Sequence, residues 1–203
     1  MNMNSQARCL FCFLLAFLLL AGSACTSFKP APAKKNGHEC APVCRVAFLP
    51  FINSSRFEQG NVIVQRILGA ELNRIGGAEV ASEGDVRNIY RELRIFPNQH
   101  PDIEQIKVIG SRLDAQIIIS GRITEMEEKM GDNYVNPVLG VILQVYDGNT
   151  GKSLWTTYHR KEGSDYRKIM HFGLVNTVTQ LSRIMADEII DQWFAEGMKR
   201  CAE

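Results

Sequence analysis

The stretch Val138–Lys161 (VLGVILQVYDGNTGKSLWTTYHRK) decides the fold. Leu139, Val141, Leu143 and Val145 alternate through Val138–Tyr146, the period-two pattern of a strand with one face buried. Asp147-Gly148-Asn149-Thr150-Gly151 reads as a hairpin turn, and Lys152–Lys161 as the returning strand. Upstream, Gln116–Thr124 (QIIISGRIT) predicts a strand with an apolar core run. Arg45–Phe51 (RVAFLPF) predicts another, nearly all apolar as expected when both faces are covered. Pro50 marks its exit and Asn53-Ser54-Ser55 a polar loop. Between these strands, Val64, Leu68, Leu72 and Ile75, flanked by Ile63 and Ile67, make the apolar stripe of a helix from Asn61 to Ile75. Asn61 is its expected cap and Gly76-Gly77 its stop. Ala78–Ser82 is a short strand candidate and Gly84–Leu93 a helix, followed by a loop with Pro97. The next helix opens at Pro101, with Asp102 and Glu104 at its positive end, and ends near Leu113. Downstream, Met170, Leu174, Val178, Leu181, Met185 and Ile189 predict one long helix over Asp165–Phe194. The order β-α-β-α-α-β-β-β-α specifies α/β class: a single sandwich of a mixed sheet with packed helices.

The 203 residues are 45% apolar and 22% charged, a globular composition. Cys9–Ala21 (CLFCFLLAFLLLA) is unbroken apolar sequence behind Arg8 and before Ala21-Gly22-Ser23-Ala24. That run is too short to cross a ~30 Å hydrocarbon core and has the layout of a secretory signal peptide over residues 1–24. Leu20-Ala21-Gly22-Ser23-Ala24-Cys25 resembles a bacterial lipoprotein signal, which makes Cys25 the expected lipidation site and a palmitate-type acyl anchor its modification. Thr26 after it implies the outer membrane by the same resemblance. Removing residues 1–24 deletes Arg8 and leaves 22 basic and 22 acidic residues. A neutral chain excludes a generally basic nucleic-acid binder. Residues 25–44, with Pro30, Pro32 and Pro42, read as lipid anchor and flexible linker, reaching about 60 Å at full extension. The periplasmic domain is expected over 45–203.

Few motifs carry chemistry. Asn149-Thr150-Gly151-Lys152-Ser153 lacks the upstream glycine of a phosphate-binding loop, since Tyr146 stands there, and joins two strands rather than a strand and a helix. His38-Glu39-Cys40 with Cys44 has no second ligand pair for a structural zinc. In an oxidising compartment Cys40, Cys44 and Cys201 are instead disulfide candidates, with connectivity open. No glycine-flanked nucleophile elbow accompanies His38, His100, His159 or His171. Glu125, Glu127 and Glu128 beside Lys129 read as a solvated strand end. The expectation is a protein without enzymatic activity, cofactor or metal. Trp155 with Tyr158 is the candidate contact surface, and Trp193-Phe194 close the last helix.

Three segments carry a family resemblance. Val46-Ala47-Phe48-Leu49-Pro50-Phe51 before Asn53, Leu113–Ile123 (LDAQIIISGRI) and Val145–Trp155 (VYDGNTGKSLW) resemble, in order, motifs of periplasmic lipoproteins of the CsgG/LpoB/PelC superfamily. The resemblance spans about residues 45–194. It implies an anticodon-binding-like sandwich and non-enzymatic work in assembly or export of an envelope polymer. Glu125–Pro137 (EMEEKMGDNYVNP) is charged and short for a CsgG-type barrel hairpin. The linker is short for an LpoB-type tether. The layout is closest to PelC-like lipoproteins, which implies a homo-oligomer attached to the membrane through its lipid and working with export machinery. The alternative is a regulator of a cell-wall synthase.

Overall fold

The computed structural model describes residues 42–96, 98–130, 134–167 and 173–201. The elements are β1 (Pro42–Val43), β2 (Arg45–Phe48), β3 (Ile52–Asn53), α1 (Gly60–Gly76), β4 (Glu79–Val80), α2 (Glu83–Glu92), α3 (Ile103–Leu113), β5 (Ile117–Met130), β6 (Val135–Asp147), β7 (Ser153–Glu162), a 3-10 turn (Gly163–Tyr166), α4 (Val178–Ala195) and β8 (Lys199–Arg200). The main sheet runs β4-β2-β5-β6-β7, with β3 also on β5. Strands β2, β3, β4 and the first part of β5 are mutually parallel, and β5-β6-β7 is an antiparallel meander. The predicted mixed α/β sandwich is the observed architecture.

Side-chain alternation sorts the core into two layers. Val46, Phe48, Ile117, Ile119, Leu139, Val141, Leu143 and Val145 point to one face, where Val64, Leu68 and Leu72 of α1 and Leu181, Met185 and Ile189 of α4 cover them. Ala47, Leu49, Ile118 and Tyr146 point to the other, under Val86, Ile89 and Tyr90 of α2 and Ile106 and Ile109 of α3. The apolar run of β2 is therefore explained by burial on both faces, and the alternation of β6 by burial on one. Across the outside of the first layer, Glu71 joins α1 to α4 through Arg74 and Arg183, and Arg74 reaches Asp187 at 2.8 Å. The unit Lys35–Glu203 contains both core layers. It holds what the fold requires.

Several predicted boundaries shift, each for a local reason. The helix expected over Asp165–Phe194 begins only at Val178, because Thr177 caps it through Gln180 N–H. Before it, Gly163 packs closely against the Val175 carbonyl and Pro137, and the chain there is a 3-10 turn. Met170 and His171 lie outside the described residues. Asn61 is not the cap of α1. Gln59 holds that position, and Asn61 Nδ2 instead donates to the Phe51 carbonyl at 2.8 Å. Gly77, at φ 65°, ends α1 as expected. Asp102 rather than Pro101 starts α3, in a capping box with Gln105. The stretch Glu125–Pro137 is not a charged connector. A bulge after Ile123 resets the alternation, β5 continues to Met130, and β6 starts at Val135. Pro42–Val43, in the expected linker, pairs in parallel with Lys199–Arg200.

Candidate functional site

The β5-β6-β7 meander carries the candidate surface. Among the described residues strand β7 ends the sheet, so ten residues of backbone form a long edge. Its alternation separates the two aromatic candidates. Trp155 pairs with Val145 and faces the first core layer, where its ring meets Trp193 with centroids 6.4 Å apart. Its Nε1 is buried without a hydrogen-bond partner. Tyr158 points the other way and is 55% exposed. The structure thus does not bring Trp155 and Tyr158 onto one surface, because residues three apart on a strand face oppositely. Of this pair, Trp155 packs on the core and Tyr158 is available for contact.

The face carrying Tyr158 is held by charge. Glu125 on β5 and Arg160 on β7 both pair with Gly140 of the strand between them. With no side chain at Gly140, the Arg160 guanidinium passes over β6 to Glu125, at 2.8 Å and 3.3 Å. Arg160 also reaches Glu162 at 3.0 Å, and Lys129 reaches Glu127 at 2.7 Å. Hydrogen bonding from Arg160 holds the Glu125 and Glu162 carboxyls below their ordinary range, and Arg160 itself is pushed up. Glu127 hydrogen-bonded to Lys129 raises that ammonium. Glu128 stands apart from this group. On the opposite face, its Oε1 accepts from Val178 N–H at the start of α4 at 3.0 Å, a cap at the helix's positive end.

The expected histidine candidates are also dispersed. His100 Nε2 lies 2.6 Å from the Tyr146 hydroxyl, which donates to Gln144 at 3.0 Å. His159, on the α4 side of β7, lies 3.0 Å from Thr157 Oγ1. Burial lowers the pKa of both, with Arg122 adding to it at His100 and Lys161 at His159. Among the described residues no three His, Cys, Asp or Glu side chains gather as a metal site. His38, Cys25 and Cys40 lie outside the described residues. Of the disulfide candidates, Cys44 is bonded to Cys201, with a Cα–Cα distance of 4.6 Å. Among the described residues no helix is long and apolar enough to cross a membrane.

The Asp147–Gly151 turn is braced from within. Asp147 Oδ1 accepts from Asn149 N–H, Thr150 N–H and Thr150 Oγ1, and Gly151 adopts φ 68°. The turn rests against α3, where Gly110 lets the Gly148 carbonyl approach. This seats the β6–β7 hairpin, and with it the open edge. Sequence reasoning missed the Arg160–Glu125 bridge and the Glu128 cap. Gly140 inside an otherwise bulky strand was the one visible sign of the bridge.

This geometry is an α/β sandwich, and solved structures share that fold. PelC from Paraburkholderia phytofirmans, a dodecamer, superposes with a TM-score of 0.55 at 16% identity, over 82% of this chain and 94% of that one. Lipoprotein GNA1162 from Neisseria meningitidis gives 0.50 at 14% identity, over 75% and 99%. The C-terminal domain of LpoB from Salmonella enterica gives 0.46 at 12% identity, over 60% and 84%. The chain has the fold of PelC and of the lipoprotein GNA1162. Neither a protein-family model nor a curated protein sequence matches it.

Proposed function

We propose that this chain is an outer-membrane lipoprotein, anchored through lipid on Cys25, whose periplasmic domain self-associates and acts without catalysis in assembly or export of an envelope polymer. The observation that carries this reading is the ten-residue edge of β7, unpaired among the described residues, with Tyr158 exposed beside it. An unpaired edge of that length is a template for another chain, and monomeric proteins usually cover or shorten it. The solved dodecamer with this fold supports the same direction, and the lipoprotein-like run before Cys25 supports the anchor.

Crosslinking in intact cells, followed by measurement of the complex's mass, tests the assembly. A ladder of multiples of this chain is expected, shortened by Tyr158→Lys. A strict monomer, both in cells and after detergent extraction, overturns it. Metabolic labelling with palmitate tests the anchor, since label retained by Cys25→Ala removes it.

A further inference from the structure

A cavity of about 630 Å³ opens outside the carboxyl end of β2, between α1 and α2. Its position follows from topology. The chain leaves β2 toward the first core layer through α1 and leaves β4 toward the second through α2. At this edge of the sheet α1 and α2 lie on opposite faces, and in open α/β sheets crevices at strand carboxyl ends are where ligands bind. The volume falls within the ~300–1,000 Å³ of small-molecule sites.

The wall is apolar: Phe48, Phe51, Val62, Val86 and Ile95 line it. Two features show that it is preformed. Phe51 N–H donates to Gln65 Oε1 at 3.1 Å while Asn61 grips its carbonyl, and the Phe51 ring lies against Gly121, where a side chain would collide with it. Tyr90 also lines the cavity and is only 4% exposed. Burial raises its pKa, so the phenol remains a donor.

The remaining polar residues set the charge. Arg87 and Arg91 line the cavity against a single acid, Glu83, which already binds Arg66 at 2.7 Å and Arg87 at 3.0 Å. Among the described residues Arg91 is engaged only by the neutral side chain of Asn88. The lining therefore carries an excess of positive charge and spare guanidinium donors beside a greasy interior. We infer that this cavity is a binding site for an anionic amphiphile, a hydrocarbon body in the Phe48–Phe51–Val86 interior with a carboxylate-type head on Arg91 and Arg87. The site lies apart from the open β7 edge and goes beyond the assembly reading.

The test uses the unit Lys35–Glu203 and dodecanoate, titrated calorimetrically, with 1-dodecanol as the uncharged probe. Saturable one-to-one binding of dodecanoate is expected. Gly84→Trp is the plugging variant: Gly84 lines the cavity, and a Cβ there meets only Ser82 Oγ at 3.4 Å, so a side chain can leave the backbone at this point without a backbone clash. It should abolish binding with the melting temperature kept. Arg91→Gln should weaken dodecanoate about tenfold, one lost charge-assisted hydrogen bond, and leave 1-dodecanol unchanged. Absence of saturable binding overturns the proposal, as does binding that survives Gly84→Trp. Equal affinity for 1-dodecanol and dodecanoate overturns the anionic head. A Gly84→Trp variant that binds dodecanoate normally but no longer assembles would assign the cavity to a neighbouring copy and also overturn it.

Discussion

Replacing Cys44 and Cys201 together by Ala should cost this fold a large fraction of its stability. The bond joins residues 157 apart in sequence, nearly the whole folded unit. By chain entropy, cross-linking a loop of that length removes about 17 cal/mol/K from the unfolded ensemble, or about 5 kcal/mol at 25 °C. The bond also holds β1 beside β8, two-residue strands that cannot stay paired alone. Against a typical domain stability of about 5–15 kcal/mol, the loss is a third or more. With a urea m-value of about 2 kcal/mol/M, the midpoint should fall by about 2.5 M. Trp155 and Trp193, packed on each other in the first layer, give a fluorescence signal for the transition. Reduced wild type and the double variant should coincide, both with a steeper m because the unfolded chain is no longer cinched. A midpoint shift below about 0.5 M in both would refute the reasoning, since it would mean that the unfolded chain gains little freedom when the bond is cut.

Gly148→Ala drives a Cβ into the Ala115 carbonyl, backbone against backbone. The hairpin must lift off α3, at about 3 kcal/mol, read as a fall in Tm of roughly 6–12 °C. Glu128→Ala removes the acceptor from Val178 N–H and should cost about 1 kcal/mol, with faster amide exchange confined to the first turn of α4, while Glu128→Gln keeps an acceptor and most of the stability. The third concerns acid. Hydrogen bonding from Arg160 holds the folded Glu125 and Glu162 carboxyls below their ordinary pKa. Between that ordinary value and the folded ones the unfolded chain binds more protons, so their contribution is complete above the ordinary value and drains away as pH falls through the folded ones. Urea midpoints measured across that range should drop in the wild type and drop less in Arg160→Gln.

How far the sequence could be read depended on how local the cause was. The hairpin Val138–Lys161 was legible because its strand alternation and its Asp-Gly-Asn-Thr-Gly turn are written within consecutive residues, and Gly77 at φ 65° ended α1 as the Gly-Gly pair foretold. The boundaries that moved answer to partners distant in sequence. Met170 and Leu174 keep helical spacing with Val178, but Thr177 starts the helix, with Glu128, 50 residues upstream, adding a second cap. The charges of Glu125–Lys129 read as a solvated strand end because pairing with Arg160 across Gly140 is invisible along the chain. Trp155 and Tyr158 looked like neighbours by sequence distance, and strand pleating puts them on opposite faces. The cavity left no periodic trace at all. It is an accident of where two connections part, marked only by Gly84, Tyr90 and two arginines on one short helix.

The open surface has one topological cause. Helices α2 and α3 lie in the connection from β4 to β5, so they cover β4, β2 and the start of β5. The chain then makes β6 and β7 by hairpins, which carry no helix, and α4 returns to the first layer. Among the described residues, therefore, helices cover the second face of β6 at Tyr146 only, and that of β7 not at all. Ile142 and Gln144 there are half-buried and Tyr158 exposed. Such a face persists in water only if it is made polar or is covered by a partner. Here the Arg160–Glu125–Glu162 group makes one end polar, while Ile142 and Tyr158, directly paired across β6 and β7, do not fit that solution. Two adjacent large side chains left out of the charge lattice, beside an unpaired edge, are what a covered surface needs and a solvated one does not. The assembly reading thus rests on the same connectivity that gave the fold, because the hairpins that make β6 and β7 leave most of the second face of this part of the sheet without a helix among the described residues.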